Sequence, residues 1–246
     1  MQTRLKTADK TTENMLEAEG VLIPFDPAVI TAPIAQAIKA GVFEAEEAAQ
    51  IPHIVLPDDI VLDIGAGIGF ISTLISRHAK KVISVEANPD LLPFMGEVHR
   101  LNGVKNAERL NVVLTNSGDD TATFYQRDDF WMGSLADGPN PYKSTVKVPV
   151  KGLNELLSEA RISLIVCDIE GAESFLFKDA ELCCVDRIYL ELHDHITGLK
   201  GVASVFSAMA ARGFAYDPRY SSGAIVLFRR VAKNETLRPY ARSTNP

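Results

Sequence analysis

From residue 60 onward the chain alternates short apolar runs with stretches of helical period, the pattern of a sheet covered by helices on both faces. The runs Ile60–Ile64, Val82–Val85, Leu110–Leu114, Leu164–Asp168 and Ile188–Leu192 predict five parallel strands. Between the first two, Ile71, Leu74, Ile75 and His78 fall at i, i+3, i+4 and i+7, the stripe a crossover helix presses onto a sheet. Val202, Val205, Phe206 and Met209 repeat that stripe before Gly213. Phe214–Asp217 and Ala224–Phe228 then flank a turn-rich Pro-Arg-Tyr-Ser-Ser-Gly segment and predict a terminal antiparallel hairpin. The expected fold is therefore α/β: a doubly wound, mostly parallel seven-stranded sheet.

Upstream, Ile30, Ile34, Ala37 and Ile38 recur at helical spacing before Gly41 and a second short helix, predicting an N-terminal helical cap. Residues 115–150 interrupt the alternation as an insertion, with strands expected at Thr121–Tyr125 and Val146–Val150 around an aromatic loop. The chain divides accordingly into a polar tail at 1–20, the cap at 21–54, the main domain at 55–231 and a second polar tail at 232–246.

Composition narrows the function classes. With 246 residues, 46% of them hydrophobic, the chain builds one large domain and leaves no room for a second catalytic one. A formal net charge of -7 gives no general attraction for phosphates or anionic lipid, so the expectation is no nucleic acid partner and no membrane partner. The three cysteines, Cys167, Cys183 and Cys184, lack the pairing of a disulfide framework or a zinc site. No segment reaches about 18 uninterrupted apolar residues, and the expected location is cytoplasmic.

The sharpest motif is Val61-Leu62-Asp63-Ile64-Gly65-Ala66-Gly67-Ile68-Gly69-Phe70, a buried strand running straight into an amphipathic helix. Gly65 and Gly67 let a ligand press on the backbone, and Gly69 lets the helix start close to the sheet. Asp63 is placed to hold an ammonium, and Glu86, ending the second strand, to accept both ribose hydroxyls; Asn88-Pro89 then opens a helix. A dinucleotide fingerprint, G-x-G-x-x-G, would need glycine where Phe70 stands, which disfavours a nicotinamide-dependent oxidoreductase. The G-x-G-x-G spacing resembles the first motif of class I, Rossmann-like S-adenosylmethionine methyltransferases. That resemblance implies S-adenosylmethionine as cofactor, with Asp63, Gly65, Ala66, Gly67, Gly69, Glu86, Ala87, Asn88 and Asp168 as the expected contacts.

Ligands of open α/β sheets sit beyond the carboxyl ends of the strands. There the fourth strand continues as Asp168-Ile169-Glu170-Gly171-Ala172-Glu173 and the fifth ends in Glu191-Leu192-His193. Asp168 and Glu170, like Glu191 and His193, are two apart and would share a face if the strands continue. Such a group suits general-base work and equally suits a divalent cation; no metal ligand is assigned. Asp-Ile-Glu-Gly-Ala-Glu followed by Tyr-Leu-Glu-Leu-His resembles the FkbM family of methyltransferases, with Val166 where that family usually has lysine. The resemblance implies O-methylation of a hydroxyl on a small metabolite, sugar or glycan acceptor, with Asp168, Glu170 and His193 as catalytic candidates. A protein that binds S-adenosylmethionine without transferring its methyl is the other alternative. The loop at 124–134, with the only tryptophan, is expected to close over the site.

Overall fold

A computed structural model describes residues 14–138, 140–232 and 234; most of both polar tails lies outside them. Part of the first tail is not loose: Met15–Ala18 (β1) pairs antiparallel with Val21–Pro24 (β2), burying Leu16. Helices Ala32–Ala40 (α1) and Ala45–Ile54 (α2) complete the N-terminal layer. Then come Ile60–Ile64 (β3), Phe70–Ser76 (α3), Lys81–Val85 (β4), Leu91–Leu101 (α4), Ala107–Leu110 (β5) and Val113–Thr115 (β6). Thr121–Gln126 (β7), Ser144–Gly152 (β8), Leu153–Ala160 (α5), Leu164–Cys167 (β9) and Glu173–Leu176 (α6) follow. Arg187–Glu191 (β10), Asp194–Ala211 (α7), Phe214–Tyr216 (β11) and Ile225–Arg230 (β12) end the fold.

The seven-stranded sheet runs β11-β12-β10-β9-β3-β4-β5, and β12 alone opposes its neighbours. β3 sits at its centre, where the order reverses between β4 on one side and β9 on the other, so a crevice opens at the carboxyl end of β3. The strands are nearly all buried, as a sheet covered on both faces requires. On one face Ile71, Leu74 and Ile75 of α3 pack with Val98 of α4 and with cap residues Ile34, Ile38 and Ile51. On the other, Leu156 and Leu157 of α5 pack with Val205 and Met209 of α7 and with Ile165 and Ile188. The cap is thus part of the main core. It is also tied at its end: Arg187 donates to the Ile54 carbonyl (2.7 Å) and to Asp59 (2.6 Å) in a buried ion pair.

One expected strand divides in two. Within 110–114, the chain leaves the main sheet after Leu110, and Val113–Thr115 pairs instead with β8 in a second sheet ordered β6-β8-β7. Asn111 marks the break; its side-chain amide donates to the carbonyls of Glu86 and Ala87. The insertion is therefore a three-stranded flap whose inner face (Val113, Phe124, Val148) leans toward the crevice.

Candidate functional site

A cleft opens beyond β3 and β4, lined by Gly65, Gly67, Glu86, Phe130, Asp168 and Glu170 among others. Its floor is made of backbone. Gly65 and Ala66 donate their N–H groups to the Val85 carbonyl, folding the turn against β4. Gly65, with φ of 85°, has no room for a Cβ: one would lie 1.7 Å from the Asp168 carbonyl oxygen. Glycine there is what lets the end of β9 pass over the turn. Gly69 (φ 85°) starts α3 against Met95, which a Cβ would meet at 2.6 Å.

Glu86 is buried, and its carboxylate accepts the N–H of Gly67 (2.8 Å) and of Asn88 (2.7 Å). Burial raises its pKa, while those backbone donors work against the rise. It holds the loop's shape first, and each oxygen keeps a lone pair for a ribose hydroxyl. Ala87 lines the cleft beside it. Asn88 does not: its Oδ1 accepts from Gln126 of β7 (2.7 Å), pegging the flap to the β4 end. Asp63 is 3% exposed, and its Oδ2 has no partner; it lies with Ala66, Glu44, Glu47 and Asp168 around a smaller cavity. Burial, then the Glu86 charge, pushes its carboxyl up to about 7.

The flap is docked. Arg127, buried, donates to the carbonyls of Met132 (3.0 Å) and Ala136 (3.0 Å) and to Ser134 Oγ (2.9 Å), stapling residues 127–136 into one turn. Trp131 stacks on Phe43 of the cap at 6.1 Å, and Thr31 donates to Asp129 (2.5 Å). Phe130 reaches the glycine turn, 3.4 Å from where a Gly67 Cβ would be.

Asp168, Glu170 and His193 meet at the cleft's edge, with one ligand atom of each within 4.8 Å of the others. The route differs from strand alternation. β9 stops at Cys167, and a tight turn follows with Glu170 at φ 52° and Gly171 at φ 95°. Glu173 holds that turn, its Oε1 accepting the N–H of Ile169 (3.2 Å) and Gly171 (3.3 Å). The same oxygen bonds His193 Nδ1 (3.1 Å), leaving Nε2 3.4 Å from Asp168 and 3.8 Å from Glu170. Burial pushes the His193 pKa down, but Glu173, Asp168 and Glu170 together carry it up to about 9, so the ring is an imidazolium at neutral pH. Asp168 moves the other way from a normal carboxyl: burial, against the pull of His193 and with Glu191 and Glu170 adding to it, raises it to about 8. A carboxyl titrating there serves as a general base near neutrality; the protonated histidine does not.

Glu191 turns toward Asp168 and toward Glu47 of α2, a residue the sequence did not single out. Glu47 is 5% exposed, and burial followed by Asp168 and Glu44 raises its pKa well above normal. Glu44 lines both cavities. In sequence both glutamates look like ordinary first-turn helix carboxylates, so no local signal marks them.

A family model for the TRM5/TYW2 methyltransferase domain matches residues 36–134, which is short of half of the chain. Among curated proteins, a probable ribosomal RNA small subunit methyltransferase A of Methanosarcina mazei is 38% identical over 79 residues, 29% of this chain and 28% of that protein. An uncharacterized protein of Methanocaldococcus jannaschii is 30% identical over 98 residues, 40% of this chain and 36% of that one. The matched segments thus span about a third of those relatives. Trm5b from Pyrococcus abyssi superposes with a TM-score of 0.49 at 14% identity, covering 89% of this chain and 56% of that one.

The fold is the class I methyltransferase fold, and the cofactor is S-adenosylmethionine, whose features the cleft fits: a glycine floor, an orphaned buried carboxylate and Glu86. A nicotinamide cofactor is set aside with that. Two expectations are corrected. The FkbM resemblance gives way to the TRM5/TYW2 match, and the Asp-Ile-Glu-Gly-Ala-Glu motif that carried it is spent largely on a turn bonded to its own Glu173. The expectation of a small-molecule or glycan acceptor and no nucleic acid is overturned by a match to the TRM5/TYW2 domain and to ribosomal RNA methyltransferases. Net charge averages over the whole surface and hides local basic faces. No helix among the described residues is long and apolar enough to cross a membrane.

Proposed function

We propose that this chain is an S-adenosylmethionine-dependent methyltransferase that methylates a nucleotide within RNA, at an O–H or N–H that loses its proton to Asp168. The observation that carries the reading is that Asp168 and Glu170 line the same cleft as Gly65, Gly67 and Glu86, so a proton acceptor and the cofactor loop face one acceptor position. When bound, S-adenosylmethionine supplies a methyl already activated by its sulfonium. The chain has to hold the acceptor in line, exclude water and take one proton. Phe130 and Trp131 of the docked flap cover the cleft. Asp168 receives the proton, and the His193 imidazolium, oriented by Glu173, steadies the neighbouring carboxylates.

The RNA part of the reading draws on the kind of protein the chain resembles and on the flap's outer face. There Thr123, Tyr125 and Lys147 stand on one side of the β7-β8 pair, with exposed Lys143 at its end. Tyr142 lies edge-on to Tyr125 at 5.0 Å. An exposed Tyr142 over a half-buried Tyr125, beside lysines, suits stacked bases and backbone phosphates. The test is incubation with methyl-labelled cofactor and total RNA or a metabolite extract, followed by nuclease digestion and mass spectrometry. Label in one modified nucleoside is expected; label confined to free metabolites refutes the RNA acceptor.

A further inference from the structure

We propose that Glu47, Asp168 and Glu191 form a binding site for a hard divalent cation, Mg²⁺ or Mn²⁺. The three carboxylates come from three elements: the first turn of cap helix α2, the turn after β9 and the last residue of β10. One oxygen of each lies within 4.8 Å of the others. Like charges at that spacing repel, and the burial of Glu47 leaves its share of the repulsion poorly screened. No ion pair from lysine or arginine among the described residues reaches Glu47 or Glu191.

A second observation points into the same place. Asp63, 3% exposed, keeps a sealed and unpartnered Oδ2 and lines a small cavity with Glu44, Glu47 and Asp168, on the side of the group away from Glu191. Asp168 Oδ1 makes no hydrogen bond either, but it faces the His193 imidazolium at 3.4 Å. A pocket walled by carboxylates, with one buried acceptor unpartnered, suits a cation, whether a metal ion or the cofactor's ammonium. Oxygen ligands only suit Mg²⁺ or Mn²⁺ over zinc. The neighbouring Asp168, Glu170 and His193 group is a poorer candidate because a positively charged imidazolium already lies among its carboxylates. Asp168 belongs to both groups, so a bound cation and a transferred proton compete for it, and cation loading would leave Glu170 facing the acceptor. The site does not depend on which acceptor is methylated.

The test uses the full chain stripped with chelator and titrated with Mn²⁺ alone, free Mn²⁺ being read by electron paramagnetic resonance. A single bound Mn²⁺ per chain and a rise in thermal midpoint are expected. Glu47→Gln and Glu191→Gln should each weaken binding at least about ten-fold, while Glu108→Gln, a surface control, should not. Glu47→Gln without metal should melt no lower than the parent, because it removes one of several mutually repelling carboxylates; this separates lost binding from lost folding. Three results overturn the proposal: no binding at millimolar Mn²⁺, unchanged binding in both glutamine variants, or one-for-one displacement of Mn²⁺ by S-adenosylhomocysteine. The last would make the cavity the cofactor's ammonium pocket and nothing more.

Discussion

The cofactor end and the acceptor end of the cleft are built in opposite ways. At the cofactor end, Asp63, Gly65, Gly67 and Gly69 lie within one strand-to-helix turn, and Glu86 reaches that turn through a backbone hydrogen bond. At the acceptor end, Glu47, Asp168, Glu170, Glu191 and His193 arrive from α2, the turn after β9, the end of β10 and the cap of α7. A site made of backbone is written locally, as glycines at given spacing. One made of converging side chains exists only once the sheet order has brought distant segments together. The family match follows most of that division, since residues 36–134 hold the cofactor end and, of the acceptor end, only Glu47.

The largest effect should come where the two ends touch. In Gly65→Ala the new Cβ would sit 1.7 Å from the Asp168 carbonyl, at a φ of 85° that side chains rarely adopt. Strain and overpacking together cost about 3 kcal/mol or more, and the β3-β9 seam must part. Denaturant melts should show that loss, and calorimetry should show no cofactor binding; a variant that binds normally would mean the turn tolerates displacement and the two ends are separable. Next is Asp168→Asn, which keeps shape and removes the base. Single-turnover rates should fall about 10²- to 10⁴-fold with cofactor affinity changed only a few-fold. A rate within ten-fold of the parent would move the base to Glu170.

How much was legible follows the same line. Four of the five expected parallel strands, Ile71, Leu74 and Ile75 of the α3 stripe and the terminal hairpin were readable because burial on both sheet faces leaves apolar runs and period 3.6 leaves a stripe. The division of 110–114 between two sheets was not, because nothing local says that Asn111 will turn its amide onto the Glu86 and Ala87 carbonyls. Leu16 in β1 was hidden in a polar stretch whose partner strand supplies the burial. Asp168, Glu170 and His193 do meet, though through a left-handed turn instead of the strand alternation expected. Glu47 was invisible, since its neighbours in space are 121 and 144 residues away (168 − 47 and 191 − 47). The acidic total likewise concealed the Tyr125, Tyr142 and Lys147 face.

Two smaller changes test each end alone. Glu86→Gln leaves one oxygen where two now hold Gly67 and Asn88, so a charge-assisted bond of about 1.5 to 3 kcal/mol is lost. Calorimetric affinity for S-adenosylmethionine should drop about ten- to a hundred-fold; an unchanged value would remove Glu86 from the cofactor site. The pair Lys143→Glu with Lys147→Glu should leave cofactor affinity alone and raise KM for RNA. If both lysines contact phosphates of a single strand, the slope of log affinity against log salt should fall by about 1.4. An unaltered slope would place the RNA elsewhere.

The mildest test is pH, and its sign distinguishes the cleft's buried carboxyls and His193 from His99 in the core. Asp63 and Asp168 hold protons in the folded state up to about 7 and about 8, whereas unfolded carboxyls release them near 4. Between those values the folded state binds more protons, so stability falls as pH rises. His193 adds to the trend: its contribution is complete below about 6.5 and is lost as pH climbs through its folded value of about 9. His99, buried beside Ser72, runs oppositely, because burial and then Arg109 depress it to about 4. Its share is present above about 6.5 and disappears as pH drops toward that folded value. Thermal midpoints should therefore peak on the acid side of neutrality and decline toward pH 9. In His193→Gln the decline above neutrality should shrink while the acid limb, governed by His99, stays. Equal loss of both limbs would show that His193 supports the whole core and not the carboxylate cluster in particular.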